Sequence, residues 1–279
     1  MNKLTRRQAI ATLSLLGLGG LAMPGSLHAA ASPIKIRLGT LVPKGSSSFK
    51  HLQALGEQWR QVTKGAVQLT IYPDGTMGGE ADMVRRMRVG QLQAGALTAV
   101  GLSEIEPAVA GLQNIPMAFR SLDEVDYIGE KMRPMLEKRL ADKGFMVLFW
   151  ADAGWVRFFS KQPAIRPDDM RKNKVFVWAG SADSVDIYKF AGFNPVPLET
   201  VDILPNLQTG LITAIPTPPF FALATQIDKP APNMLELNWG PLVGATVISK
   251  KTWDSIPAPA REEMLQAAAK TGKIGRAHV

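Results

Sequence analysis

The chain has 279 residues, 46% hydrophobic and 20% charged, and its 32 basic and 24 acidic side chains give a formal charge of +8. That is globular composition, long enough for two ordinary domains or one large one, and it excludes disorder, collagen-like repeats and a coiled coil. Cysteine is absent, so disulfides, thiolate metal sites and cysteine nucleophiles are excluded, and with histidine only at 28, 51 and 278 most histidine-based metal centres and triads lack raw material.

Residues 1–31 read as a cleavable export signal. Lys3, Arg6 and Arg7 precede an apolar run over 9–23, then Pro24-Gly25 and the small-residue site Ala29-Ala30-Ala31. The run falls short of the ~20 residues a spanning helix needs. The pair Arg6-Arg7 permits the Tat route without separating it from Sec. The mature protein is expected to be soluble and periplasmic. Its basic residues are scattered and only mildly in excess, which gives no support for nucleic-acid binding.

From residue 33 strand-like and helix-like segments alternate. Residues 34–42 alternate apolar and polar side chains as a strand does, and 46–62 carry a helical stripe of Phe49, Leu52, Leu55, Trp59 and Val62 behind capping serines. Residues 67–72 form a strand closed by Pro73-Asp74-Gly75. A helix over 80–89, a strand-like stretch over 91–100, a long amphipathic helix over 122–143 and a strand over 145–150 follow. This order implies parallel sheets covered by helices. The character changes at Ala151-Asp152-Ala153-Gly154. Beyond it come strands over 156–160 and 174–178, a helix over 183–190, and Asn194-Pro195-Val196-Pro197, which cannot pair fully in a sheet. A helix near 200–207 ends at Gly210, suited to a left-handed cap, before strands over 211–215 and 235–249 and a helix over 259–270. The expectation is an α/β protein of two lobes, 32–153 plus 241–279 and 154–240, with a ligand cleft between them.

Four stretches resemble one known family. They are Tyr72-Pro73-Asp74-Gly75-Thr76-Met77-Gly78-Gly79-Glu80 with Arg85-Arg86-Met87-Arg88-Val89-Gly90; Ile115-Pro116-Met117-Ala118-Phe119-Arg120-Ser121; Gly192-Phe193-Asn194-Pro195-Val196-Pro197 with Leu207-Gln208-Thr209-Gly210; and Val247-Ile248-Ser249-Lys250-Lys251-Thr252-Trp253 with Ile256-Pro257. Their order and spacing are similar to the solute receptors of tripartite ATP-independent periplasmic (TRAP) transporters, of the dicarboxylate-receptor type. The resemblance covers residues 36–269. It implies a two-lobed periplasmic-binding-protein-like fold, no enzyme activity, no cofactor or metal, a small-molecule ligand, delivery to membrane-embedded TRAP permease subunits, and a monomer. Each stretch also has a fold reading, and the helix start after Gly78-Gly79 has the geometry to receive an anion.

The departures bear on the ligand. The family's arginine, which grips a carboxylate in a bidentate pair, falls on Phe176 within Lys174-Val175-Phe176-Val177-Trp178. Acidic and amide positions downstream have become Thr213, Pro216 and Thr217, followed by Phe220 and Phe221. Arg157 matches a second arginine that many members carry. It reads equally as a strand arginine paired with a carboxylate such as Asp152, and Trp155, Phe176 and Trp178 read equally as core. The resemblance and its departures give Arg157, Phe176, Trp178, Trp155, Thr217 and Phe220 as ligand-binding candidates, for a small, largely apolar or aromatic solute. The alternative is an ordinary organic acid held by Arg157. A secreted hydrolase is remote. Ser46, Ser47 and Ser48 near His51 look like helix-capping serines beside a surface histidine, and no nucleophile elbow occurs. Related receptors continue beyond residue 269, while Gly272 and Gly275 weaken a helix and no apolar period persists past Leu265. The chain is therefore expected to lack C-terminal helices and to be marginally stable.

Overall fold

The computed structural model describes residues 32–179 and 182–276, so the export signal read over 1–31 lies outside the described residues. Alternating side chains make β1 (Ile34–Thr40) and β2 (Val67–Tyr72), which pair in parallel with Ile34 opposite Val67. Between them runs α1 (Ser47–Val62), started by the Ser46 hydroxyl, which accepts from the Phe49 amide at 3.2 Å. Its stripe of Phe49, Leu52, Leu55 and Trp59 is buried, and the Trp59 indole donates to the Met264 carbonyl at 3.1 Å. That bond ties α1 to the last helix across the sequence. Next come α2 (Glu80–Arg88), β3 (Ala94–Thr98), α3 (Ala99–Ser103), a 3-10 turn over Pro107–Leu112 and α4 (Leu122–Asp142).

Two strands of unusual length follow the pattern in an unexpected way. Sequence reading separates 145–150 from 156–160, yet β4 (Phe145–Ser160) is one strand of 16 residues. It lies antiparallel to β8 (Asn233–Ser249) of 17 residues. Ala151-Asp152-Ala153-Gly154 does not break β4, because irregular pairing absorbs it. The register slips between Asp152 and Trp155 and again between Val156 and Phe158, and Gly154 takes a φ of +77° open to a residue without Cβ.

Between β4 and β8 the chain builds α5 (Pro167–Arg171), β5 (Lys174–Trp178), α6 (Ala182–Phe190), β6 (Asn194–Leu198), a 3-10 turn (Thr200–Asp202), α7 (Ile203–Thr209), β7 (Ala214–Thr217) and α8 (Pro219–Ala224). Gly210 caps α7 at φ +81°. The prolines of β6 are accommodated at the sheet edge, where their missing N–H groups leave no partner strand short of a donor. After β8 come α9 (Lys250–Asp254) and α10 (Ala258–Arg276). The helix contains the expected 259–270 and runs six residues further. Its buried face continues past Leu265, where no apolar period was expected, because Ala267, Ala268 and Thr271 are buried and Gly272 packs against Phe149.

All eight strands form one sheet, ordered β2-β1-β3-β8-β4-β7-β5-β6. Parallel pairs lie towards both ends, β1 with β2 and β3, and β5 with β6 and β7, as the alternation of strands and helices predicts. The middle is antiparallel, which pattern reading did not anticipate. Buried side chains gather on both sides of that middle. Ile36, Leu38, Trp59 and Ile248 belong to one core, with Met83, Leu102, Leu140 and Val247 in a second beside it. Phe159, Phe176, Leu207 and Ile215 pack elsewhere, with Phe158, Met170 and Val175 alongside. The fold is two-lobed α/β, and β4 and β8 form the middle of its one sheet.

Candidate functional site

A parallel strand followed by a helix presents loops and helix starts at its carboxyl end, and four such ends converge here. Thr40 ends β1, Thr98 ends β3, Trp178 ends β5 and Thr217 ends β7, and all four line one cavity of about 170 Å³. The floor is the irregular middle of the sheet, Ala151 to Ala153 of β4 and Val243 to Ala245 of β8. Phe220 and Phe221 reach it from α8, whose first residue is Pro219, pre-set for a helix start. Their rings meet edge to face at 6.4 Å. Phe149 and Thr271 close the side nearest α10.

The walls are predominantly apolar, and the charged chemistry is of one sign. Among the described residues that line the cavity, Glu80 and Asp152 are acidic, His51 is the histidine, and none is Lys or Arg. Glu80 is buried and receives three hydrogen bonds: from the Thr98 amide and hydroxyl, each at 2.6 Å, and from the Gly101 amide at 2.9 Å. Burial pushes its carboxyl above the usual range, and the Thr98 and Gly101 donors pull it back in part. Glu80 thereby ties the start of α2 to the start of α3. No group of three or more His, Cys, Asp or Glu among the described residues is arranged to hold a metal.

Of the six residues expected from sequence, Trp178, Thr217 and Phe220 line the cavity. Phe176 does not: its side chain is fully buried, packed edge to face on Trp178 at 4.9 Å within the core of Phe159, Leu207 and Ile215. A strand turns successive side chains to opposite faces, so 176 and 178 share a face, and only the strand's last residue reaches the open end. Trp155 packs partly buried against the core that includes Leu102 and Val243 and does not line the cavity. Arg157 stands opposite Thr217 in the β4–β7 ladder, on the same face but outside the lining. Its Nη1 lies 3.3 Å from Glu236, and its buried Nε has no hydrogen-bond partner.

Sequence reasoning missed His51, Glu80, Asp152 and Thr200 as lining residues. His51 was expected on the surface beside capping serines, yet it is half-buried in the cavity wall one turn into α1. The start of α2 read first as a plain turn and second as a place that could receive an anion, and there the chain's own Glu199 side chain packs on Gly79, the residue that precedes the helix.

The model of the bacterial extracellular solute-binding proteins, family 7, matches residues 38–279. YiiZ, an uncharacterized protein of Salmonella typhimurium, is 28% identical over 165 residues, covering 58% of this chain and 50% of that protein. The C4-dicarboxylate-binding periplasmic protein DctP of Rhodobacter capsulatus is 25% identical over 269 residues, covering 92% of this chain and 78% of its own. A TRAP periplasmic solute-binding protein of Roseobacter denitrificans, solved with bound L-galactonate, superposes with a TM-score of 0.82 at 19% identity, over 88% of this chain and 82% of that one. The chain belongs to family 7 of the bacterial extracellular solute-binding proteins, a family of TRAP receptors and not of enzymes.

Proposed function

We propose that this protein is the periplasmic receptor of a TRAP transporter for a small, largely apolar or aromatic organic solute, which it carries as a monomer to the membrane-embedded permease subunits. Export would follow from the signal at residues 1–31, and the lobes would be 32–153 plus 241–279 and 154–240, meeting at the register slips of β4. One observation carries the ligand class: aromatic rings from 149, 178, 220 and 221 wall a cavity in which no described lining residue is Lys or Arg. An apolar cavity of ~150 Å³ accepts a benzene ring, so about 170 Å³ suits a single substituted ring. A carboxylate held there without its arginine is an uncompensated buried charge, worth about 3–5 kcal/mol or two to four powers of ten in affinity. The relatives named above take a C4-dicarboxylate and L-galactonate, so this reading sets the chain apart from them. Mass spectrometry of compounds released by denaturing the purified protein tests it. A neutral or aromatic molecule is expected, and recovery of a C4-dicarboxylate or a sugar acid would refute it.

A further inference from the structure

Gly79 has a backbone that any residue adopts, at φ −67° and ψ 174°, so nothing local requires glycine there. What fills the space beside it comes from a distant segment. A methyl group placed on Gly79 would overlap the Glu199 carboxylate, and its nearest neighbours all belong to Glu199. Two residues on, Val201 Cγ1 would stand 3.5 Å from a Cβ at Gly75, in ordinary contact. Thr200, between them, lines the cavity, and its hydroxyl is buried without a hydrogen-bond partner. Three consecutive residues after β6 thus touch both the turn between β2 and α2 and the cavity.

We propose that Glu199-Thr200-Val201 is a ligand-linked latch, in which Glu199 and Val201 seat on the Gly75–Gly79 turn of the opposite lobe while the Thr200 hydroxyl bonds the bound solute. A solute that satisfies Thr200 holds the segment in place, and the seated segment holds the lobes together, so recognition and closure use the same three residues. The inference rests on the receptor reading above. The charged groups around Glu199 set its pH response. Burial, then Asp82 of α2 and Asp202 of its own turn, hold the carboxyl above its usual range, and Arg85 of α2 opposes them. The seated state therefore holds its proton to higher pH than the unseated state does, and the latch weakens as pH rises through the raised value.

Because the chain has no cysteine, spin labels on the double variant Gln53→Cys, Lys189→Cys report the distance between α1 and α6 directly. Gly79→Ala is expected to lower the short-distance population about twofold, and the same substitution made on top of Glu199→Ala to change nothing further. Glu199→Gln is expected to hold that population constant across pH. A Gly79→Ala effect that persists without the Glu199 carboxylate overturns the seat. Phenol and toluene, matched in shape, probe the other end. Thr200→Val should weaken phenol about fivefold and leave toluene unchanged, while Thr200→Ser keeps the phenol affinity. Equal losses for both probes, or none, overturn the role of Thr200. If neither probe binds the unsubstituted protein, the apolar-solute reading fails and the ligand arm fails with it. The distance measurements, made without ligand, still decide the seat.

Discussion

At the scale of single residues, the decisive contrast is between Phe176 and Glu80, each buried for a different reason. The resemblance places Phe176 at the position of the family's arginine, but its ring is sealed in the apolar core of Phe159, Leu207 and Ile215. Phe176→Arg should therefore not restore carboxylate binding. It should destabilise the protein by about 3–5 kcal/mol, read as a lower urea midpoint, because it buries an unpaired charge. An unchanged midpoint would mean that the position faces solvent. Glu80 is a buried acid whose carboxyl lies above the usual 4.5. Below that value both the folded and unfolded chains hold the proton, and the protonated form contributes its full stability. As pH rises through the raised value the unfolded chain has already released its proton, and stability falls. Melting temperatures from about pH 4 to 8 should show this decline, and Glu80→Gln should flatten it.

Elements were legible in sequence where a period or a turn residue declares them. The stripe from Phe49 to Trp59, the strands at 67–72 and 174–178 and the cap at Gly210 all follow from local patterning. What pattern could not show is how strands 145–160 and 233–249 run unbroken along the middle of the sheet, since periodicity is blind to a bulge that keeps the ladder going. The cavity was legible in proportion. Trp178, Thr217 and Phe220 were found through motif position, whereas His51 and Asp152 come from segments distant in sequence that only the sheet brings together. Gly244 is another such meeting point. It pairs with Thr98 in the β3–β8 ladder, and a methyl group there would overlap the Leu97 carbonyl. Gly244→Ala should cost about 1–3 kcal/mol and speed amide exchange in β3 over that in β5. Equal exchange in both strands would show that the ladder tolerates the methyl.

For the whole molecule, the sheet is the frame on which two lobes are mounted, and its irregular middle is also the floor of the cavity. The slips between Asp152 and Trp155 leave that middle less regularly bonded than the ends, so bending between lobes should concentrate there. Scattering from the protein with and without a bound aromatic solute should show compaction, and unchanged dimensions on tight binding would count against a closing cleft. The shared strands carry a further consequence, for cooperativity. On the proposed lobe division each lobe owns only part of β4 and β8, so unfolding one would strip hydrogen-bond partners from the other. Calorimetry should record one melting transition, where two peaks would mean independent lobes. A fragment cut at either crossing would expose long raw strand edges, and such edges invite pairing between molecules. On the proposed division, the two strands that join the lobes therefore forbid either from living alone.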